Sequence, residues 1–112
     1  MSGIVFLATR ALETVEGFYV SRMGMEVWIR QEDCVVLRHG DMALGFCQRE
    51  DADTGGTITF LCETDEQVND LHRKLRDVAE GVPALSEKYR IYHFFLRDPE
   101  GRRLEVQRFL DF

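Results

Sequence analysis

Two side chains near the end of the chain have the chemistry of an acid–base pair. Glu105 lies in "RLEVQRF" and His93 in "IYHFFLR", and the turn "DPEG" separates the two segments. A histidine exchanges a proton near neutral pH, and a carboxylate can act as a base or accept hydrogen bonds from a bound compound. A structural histidine and a half-solvated glutamate are the alternatives. The spacing leaves open whether His93 or its neighbour Tyr92 shares a face with Glu105.

Other candidates for contact with a small molecule are one polar and three aromatic residues. Gln107 shares the strand face of Glu105, because alternate residues of a strand point the same way. Trp28, Phe46 and Tyr92 lie on predicted strands. Most such aromatic residues belong to a core, but pocket walls are also mainly apolar. We expect one or two of these three to contact a planar ligand.

The three cysteines, Cys34, Cys47 and Cys62, are odd in number and widely spaced. This pattern indicates neither a CxxC pair nor a disulfide framework, and no basic neighbour is visible that would activate a thiol. We therefore predict three small buried apolar side chains. Together with an N-terminal segment that lacks a basic leader, the pattern predicts a cytoplasmic protein.

The elements that position these residues occur in two similar halves. The first half opens with the predicted strand "GIVFLA". Apolar residues at helical spacing between residues 12 and 23 then predict a helix that Gly24 ends. Three further strand candidates follow: "EVWIRQ", "CVVLRHG" and "DMALGFCQ".

The second half repeats this order. The strand "GTITFLCE" precedes a capping box in which Thr64 starts a helix and Gln67 reaches back to its first turn. Apolar spacing continues this helix to Val78, and Gly81–Val82–Pro83 is predicted to end it. A weak strand around "PALSEK" and the two strands of the "DPEG" hairpin complete the half.

The repeated pattern predicts an α+β fold, with two βαβββ modules forming a concave mixed sheet. One domain, residues 1–112, would contain modules 1–50 and 56–112, and this length suffices for a core. The net charge of −6 and pI near 5.0 argue against nucleic-acid or anionic membrane partners and favour a cationic ligand. No apolar run approaches the length of a membrane span.

Two stretches, "ALETVEGFYVSRMGMEV" and "FFLRDPEGRRLEVQRF", resemble motifs of the vicinal oxygen chelate superfamily. This superfamily includes glyoxalase I, extradiol dioxygenases, fosfomycin-resistance enzymes and bleomycin-resistance proteins. "GTITFLCETDEQVNDL" is similar to its second opening strand and helix, so the resemblance covers almost the whole chain. The resemblance implies a homodimer. An apolar patch of Ile4, Phe6, Leu44 and Phe46, exposed in a monomer, would favour the same assembly.

The resemblance also implies four metal-ligand positions, on the first and last strand of each module. In this chain they fall on Ile4, on Leu44 or Gly45, on Thr57 and on Glu105. Only Glu105 is a good ligand for a divalent ion, and Thr57 would be a weak one. We therefore predict no metal and no cofactor.

The leading hypothesis is a metal-independent small-molecule binding protein, similar to the bleomycin-resistance branch and antibiotic-resistance-like in this sense. It would bind a planar or aromatic compound through Glu105, Gln107, His93, Tyr92, Phe46, Trp28 and Thr57. The alternative is a lyase, isomerase or dioxygenase-like enzyme that uses Glu105 and His93, with or without a recruited divalent metal. A domain whose partner is another protein is a third possibility. The sequence does not decide whether the protein is an enzyme.

Overall fold

Each half of the chain folds as a strand, a helix and three further strands, as the sequence predicts. The computed structural model describes residues 1–111. The chain divides into two units, Met1–Thr54 and Gly55–Phe112, and each contains one helix and one four-stranded sheet. Neither of the helices in residues 1–111 has the length and apolar character needed to cross a membrane.

The first unit consists of β1, α1, β2, β3 and β4. Their bounds are β1 Val5–Thr9, α1 Leu12–Ser21, β2 Glu26–Arg30, β3 Cys34–His39 and β4 Met42–Gln48. The strand order is β1-β4-β3-β2. β1 runs parallel to β4, and the other neighbours are antiparallel. This mixed sheet follows from the connections, because β1 reaches β4 only after the intervening helix and hairpin.

Helix α1 covers one face of this sheet. Its residues Val15, Phe18 and Tyr19 are buried, and the Tyr19 ring lies 4.9 Å from the ring of Phe46 on β4. After the helix, Gly24 has a positive φ of 75°, a conformation that glycine adopts without steric cost. The predicted helix stop is therefore confirmed.

The second unit repeats the arrangement with β5, α2, β6, β7 and β8. Their bounds are β5 Thr57–Leu61, α2 Asp65–Lys74, β6 Ala79–Ser86, β7 Ile91–Arg97 and β8 Arg103–Phe109. The strand order is β5-β8-β7-β6. β5 is parallel to β8, and β8, β7 and β6 are antiparallel to one another.

Helix α2 begins as predicted but ends earlier. The Thr64 hydroxyl accepts a hydrogen bond from the Gln67 amide at 3.1 Å, and the Gln67 side chain accepts one from the Glu63 amide at 2.8 Å. The helix stops at Lys74, so the prediction that it continues to Val78 is wrong. The residues expected to end it, 81–83, lie instead in β6, whose register shifts at a bulge. Bulges accommodate glycine and proline in a strand.

The prediction that the cysteines form no disulfide is wrong for two of the three. Cys34 and Cys47 face each other across β3 and β4 and form a disulfide. The hairpin between these strands brings them together, with a Cα–Cα distance of 4.0 Å. Cys62 is a free thiol, and burial raises its pKa. A raised pKa leaves less of the nucleophilic thiolate at neutral pH.

Candidate functional site

The turn between β7 and β8 is built around Asp98. Its carboxylate is buried and accepts hydrogen bonds from the amides of Glu100 and Arg102, at 2.8 and 3.0 Å. Its second oxygen accepts a hydrogen bond from the Arg102 guanidinium at 3.0 Å. Gly101 follows Glu100 with a positive φ of 87°. The turn therefore fixes where β7 ends and β8 begins.

The register that follows from this turn determines which side chains share a face. His93 lies opposite Gln107, and Phe95 lies opposite Glu105. The intervening Phe94 packs its ring against His72 of α2, with centroids 5.1 Å apart. Because successive strand residues alternate between faces, His93, Phe95, Glu105 and Gln107 lie on the face directed away from α2.

Thr59, His93 and Glu105 form an acid–base cluster on this face. One Glu105 oxygen lies 2.6 Å from Nδ1 of His93, and the other accepts a hydrogen bond from the Thr59 hydroxyl at 3.0 Å. Glu105 is 9% exposed, and the side chain of His93 is largely buried. The rings of His93 and Phe95 pack edge to face, with centroids 5.0 Å apart. The cluster thus holds a carboxylate and an imidazole in one geometry beside an aromatic ring.

This arrangement orients the imidazole for proton transfer. A carboxylate accepts hydrogen bonds, so the proton of a neutral His93 lies on Nδ1, between the ring and Glu105. The other nitrogen, Nε2, then carries a lone pair that can take a proton from a bound compound. The carboxylate also stabilises the imidazolium that this transfer produces.

Several solved structures share the architecture of the chain. A lactoylglutathione lyase from Agrobacterium tumefaciens matches with a TM-score of 0.80 and 19% identity, over 96% of this chain and 92% of that one. A glyoxalase/bleomycin resistance protein/dioxygenase family enzyme from Burkholderia phytofirmans PsJN matches with a TM-score of 0.80 and 20% identity, over 94% and 95% of the two chains. An integron cassette protein from the mobile metagenome of the Halifax Harbour sewage outfall matches with a TM-score of 0.83 and 18% identity, over 96% and 97%. The chain has the fold of the glyoxalase/bleomycin resistance/dioxygenase proteins.

No protein-family model matches the chain, and no curated protein matches its sequence. The predicted α+β fold of the vicinal oxygen chelate type is confirmed by the solved structures. At 18–20% identity, however, these structures establish the fold alone. Within this glyoxalase-type fold, activity depends on the side chains of the individual site.

The four metal positions that the superfamily resemblance implies do not fit a divalent ion in this chain. Ile4 precedes β1 with an alkyl side chain, and Gly45 has none. A Cβ atom built on Gly45 would overlap the ring of Phe6, which fills that space. Both oxygens of Glu105 are already engaged by protein groups. Among residues 1–111, no group of three or more histidine, cysteine, aspartate or glutamate side chains converges on a metal-sized site.

Thr59 takes the place that the sequence assigned to Thr57. Thr57 is exposed and lies opposite Arg103, whereas Thr59 lies opposite Glu105 and donates to it. Strand alternation places both threonines on one face. The parallel register of β5 and β8 decides between them, and it depends on tertiary contacts that no short motif reveals.

Two predicted ligand contacts face helices instead. The hydroxyl of Tyr92 donates to Asn69 of α2 at 2.6 Å, and Phe46 is buried against Tyr19 of α1. Both lie on the helix-covered faces of their sheets, so neither belongs to the acid–base cluster. The predicted exposed patch is likewise wrong for Phe46 and for Leu44, which is buried beside it.

Trp28 is the predicted aromatic that remains accessible. It lies at a bulge in β2 and is 43% exposed, and the guanidinium of Arg38 lies 5.2 Å from its ring. The two side chains border a surface groove of about 490 Å³ that also includes Asp41 and Met42. This groove belongs to the first unit, whereas the acid–base cluster belongs to the second.

Proposed function

We propose that the protein binds a small planar or aromatic molecule, without a metal ion, on the β5–β8 face that carries the acid–base cluster. The contact of 2.6 Å between His93 and Glu105 is the observation that carries this proposal. Binding sites combine a few oriented polar groups with apolar surroundings. Here Glu105, His93 and Gln107 supply the polar groups, and the ring of Phe95 supplies an apolar surface.

Binding is testable by titrating the labelled protein with aromatic fragments and following its ¹H–¹⁵N NMR spectrum. We expect bound fragments to shift the amide signals of residues 93, 95, 105 and 107. In Glu105→Gln the dissociation constant of the fragment should rise by about tenfold. The reason is that the hydrogen bond that orients His93 loses its charged acceptor. Glu66→Gln, on the exposed first turn of α2, is the matched control. Shifts confined to other surfaces, or equal affinities, would contradict the proposed site.

A second candidate function is proton transfer, as in a lyase or an isomerase. The convergence of His93 and Glu105 favours it, because a general base needs an orienting partner within hydrogen-bond reach. Dioxygenase chemistry has less support, since the donor set does not fit a metal ion. Binding and proton transfer would use the same acid–base cluster, so the second function extends the first.

Proton transfer predicts exchange of carbon-bound hydrogen with solvent. In D₂O, ¹H NMR of a panel of small carbonyl compounds should show at least one C–H signal decaying faster with the protein than without it. Glu105→Gln should abolish this acceleration, because the amide cannot stabilise the imidazolium. Acceleration that persists in both Glu105→Gln and His93→Gln would rule out the acid–base cluster as its source.

We also propose that the protein forms a homodimer and acts in the cytoplasm. Exposed apolar side chains support the dimer: Phe6 is 52% and Leu61 is 65% exposed. A contact with a second copy would remove such side chains from water. The cytoplasmic location stays a prediction, and the Cys34–Cys47 disulfide removes one of the two observations behind it, because disulfides are rare in cytosolic proteins.

A further inference from the structure

Arg103 lies on the same sheet face as the acid–base cluster, two residues before Glu105. Its guanidinium carbon lies 3.8 Å from the centre of the Phe95 ring. The Phe95 ring in turn packs edge to face with the ring of His93, with centroids 5.0 Å apart. The guanidinium, the aromatic ring and the imidazole therefore form one continuous row across β8 and β7.

The charge of Arg103 is not neutralised by a carboxylate in the part of the chain that the structure describes. Three neighbouring arginines do have carboxylate partners: Arg97 with Glu80, Arg102 with Asp98, and Arg108 with Asp65. Arg103 instead stacks on Phe95. Stacking occupies one face of the guanidinium and leaves its N–H donors at the edge available to another partner.

We infer that the ligand carries a carboxylate, which Arg103 binds while the planar part of the ligand contacts Phe95. This inference rests on the proposed function, because it names the ligand class of the same site. A guanidinium matches a carboxylate with two parallel N–H···O bonds. Residues two apart on a strand are separated by about 7 Å, a span that one ring with its carboxylate can bridge. The far edge of the ring then reaches His93 and Glu105.

The net negative charge of the chain favours a cationic ligand, but the local arrangement favours an anionic one. At physiological ionic strength, exposed charges are screened beyond about 8 Å, so the nearest groups dominate. Arg97 lies directly opposite Arg103 and is paired with Glu80. The negative Glu105 would repel a carboxylate placed beside it. The anionic end of a ligand is therefore expected at Arg103, away from Glu105.

Three probes with the same phenyl ring test the role of charge: benzoate, its neutral isostere benzamide, and the cation benzylamine. Each is titrated into the full chain, into Arg103→Met and into the matched control Arg97→Met, with NMR shifts of β7 and β8 as the readout. Methionine keeps an unbranched side chain over Phe95 and removes only the charge and the donors. We expect benzoate to bind at least about fivefold more tightly than benzamide. This preference should be lost in Arg103→Met and kept in Arg97→Met.

The outcomes distinguish this inference from the proposed function. Equal binding of benzoate and benzamide, a preference for benzylamine, or a benzoate preference that survives in Arg103→Met would overturn the carboxylate assignment and leave the binding site in place. If no probe shifts the signals of β7 and β8, both the assignment and the proposed site fail. Unchanged spectral dispersion in each variant verifies that the fold is intact.

Discussion

The substitution Asp98→Ala is expected to lower the free energy of unfolding by about 3–5 kcal/mol, the usual cost of removing one partner of a buried ion pair. The side chains of Asp98 and Arg102 are 0% and 3% exposed. Burial acts to lower the pKa of Arg102, but hydrogen bonds to Asp98 and Glu100 outweigh this effect, so the pKa is raised. Arg102 therefore stays charged, and in the variant its buried charge would lose the Asp98 carboxylate.

Urea denaturation followed by circular dichroism measures this loss. The matched control is Asp111→Ala, which removes the exposed partner of Arg90. Exposed ion pairs contribute about 0–1 kcal/mol, so the control should remain close to the parent protein. Adding Arg102→Met to Asp98→Ala should restore part of the stability, because it removes the buried charge that has lost the Asp98 carboxylate. If Asp98→Ala and Asp111→Ala lower the free energy of unfolding by similar amounts, the buried Asp98–Arg102 pair does not stabilise the fold more than an exposed pair.

Phe46→Ala is the second substitution with a large expected effect, again about 3–5 kcal/mol of unfolding free energy. Phe46 is fully buried between β4 and α1 and contacts Tyr19. Truncation would leave a cavity in this core. Trp28→Ala, at an exposed position, should cost only about 0.5–1 kcal/mol, mainly through its contact with Arg38.

Thermal and urea unfolding of Phe46→Ala and Trp28→Ala compares the loss of stability at a buried aromatic residue with the loss at an exposed one. A small loss for Phe46→Ala together with weaker fragment binding would return Phe46 to the wall of a ligand site. For Phe46→Ala we expect a large loss of unfolding free energy and unchanged binding of fragments to the second unit, because Phe46 belongs to the first sheet.

Most of the fold could be predicted from local patterns. Helical apolar spacing identifies α1 through Val15 and Tyr19, and the capping box identifies the start of α2 at Thr64. The end of α2 was missed, because apolar spacing continues through Leu75 to Val78. Leu75 does occupy the core, but its carbonyl accepts hydrogen bonds from the turn that leads into β6. The apolar spacing typical of a helix therefore continues beyond the last helical residue.

The part of the candidate site that lies on the β7–β8 hairpin could be predicted from the sequence. Once the "DPEG" turn pairs Arg97 with Arg103, the register places His93 on the face of Glu105 and Tyr92 on the other. The same reasoning around the turn at Gly40 and Asp41 would have paired the two strand cysteines. The contact of Thr59 with Glu105 could not be predicted from a turn, because β5 pairs with β8 in parallel and the two segments are distant in the sequence.

The ring of Phe6 above Gly45 has a consequence for substitutions at residue 45. The superfamily resemblance places a metal ligand at or beside residue 45, yet any side chain there must first displace this ring. The effect of Gly45→Glu therefore depends on Phe6: the carboxylate has room only after the ring turns away or is made smaller. Metal binding at the positions that the resemblance implies would need room at residue 45, and ligands at the other positions as well. The packing of one phenyl ring thus makes the effect of any substitution at residue 45 depend on the residue at position 6.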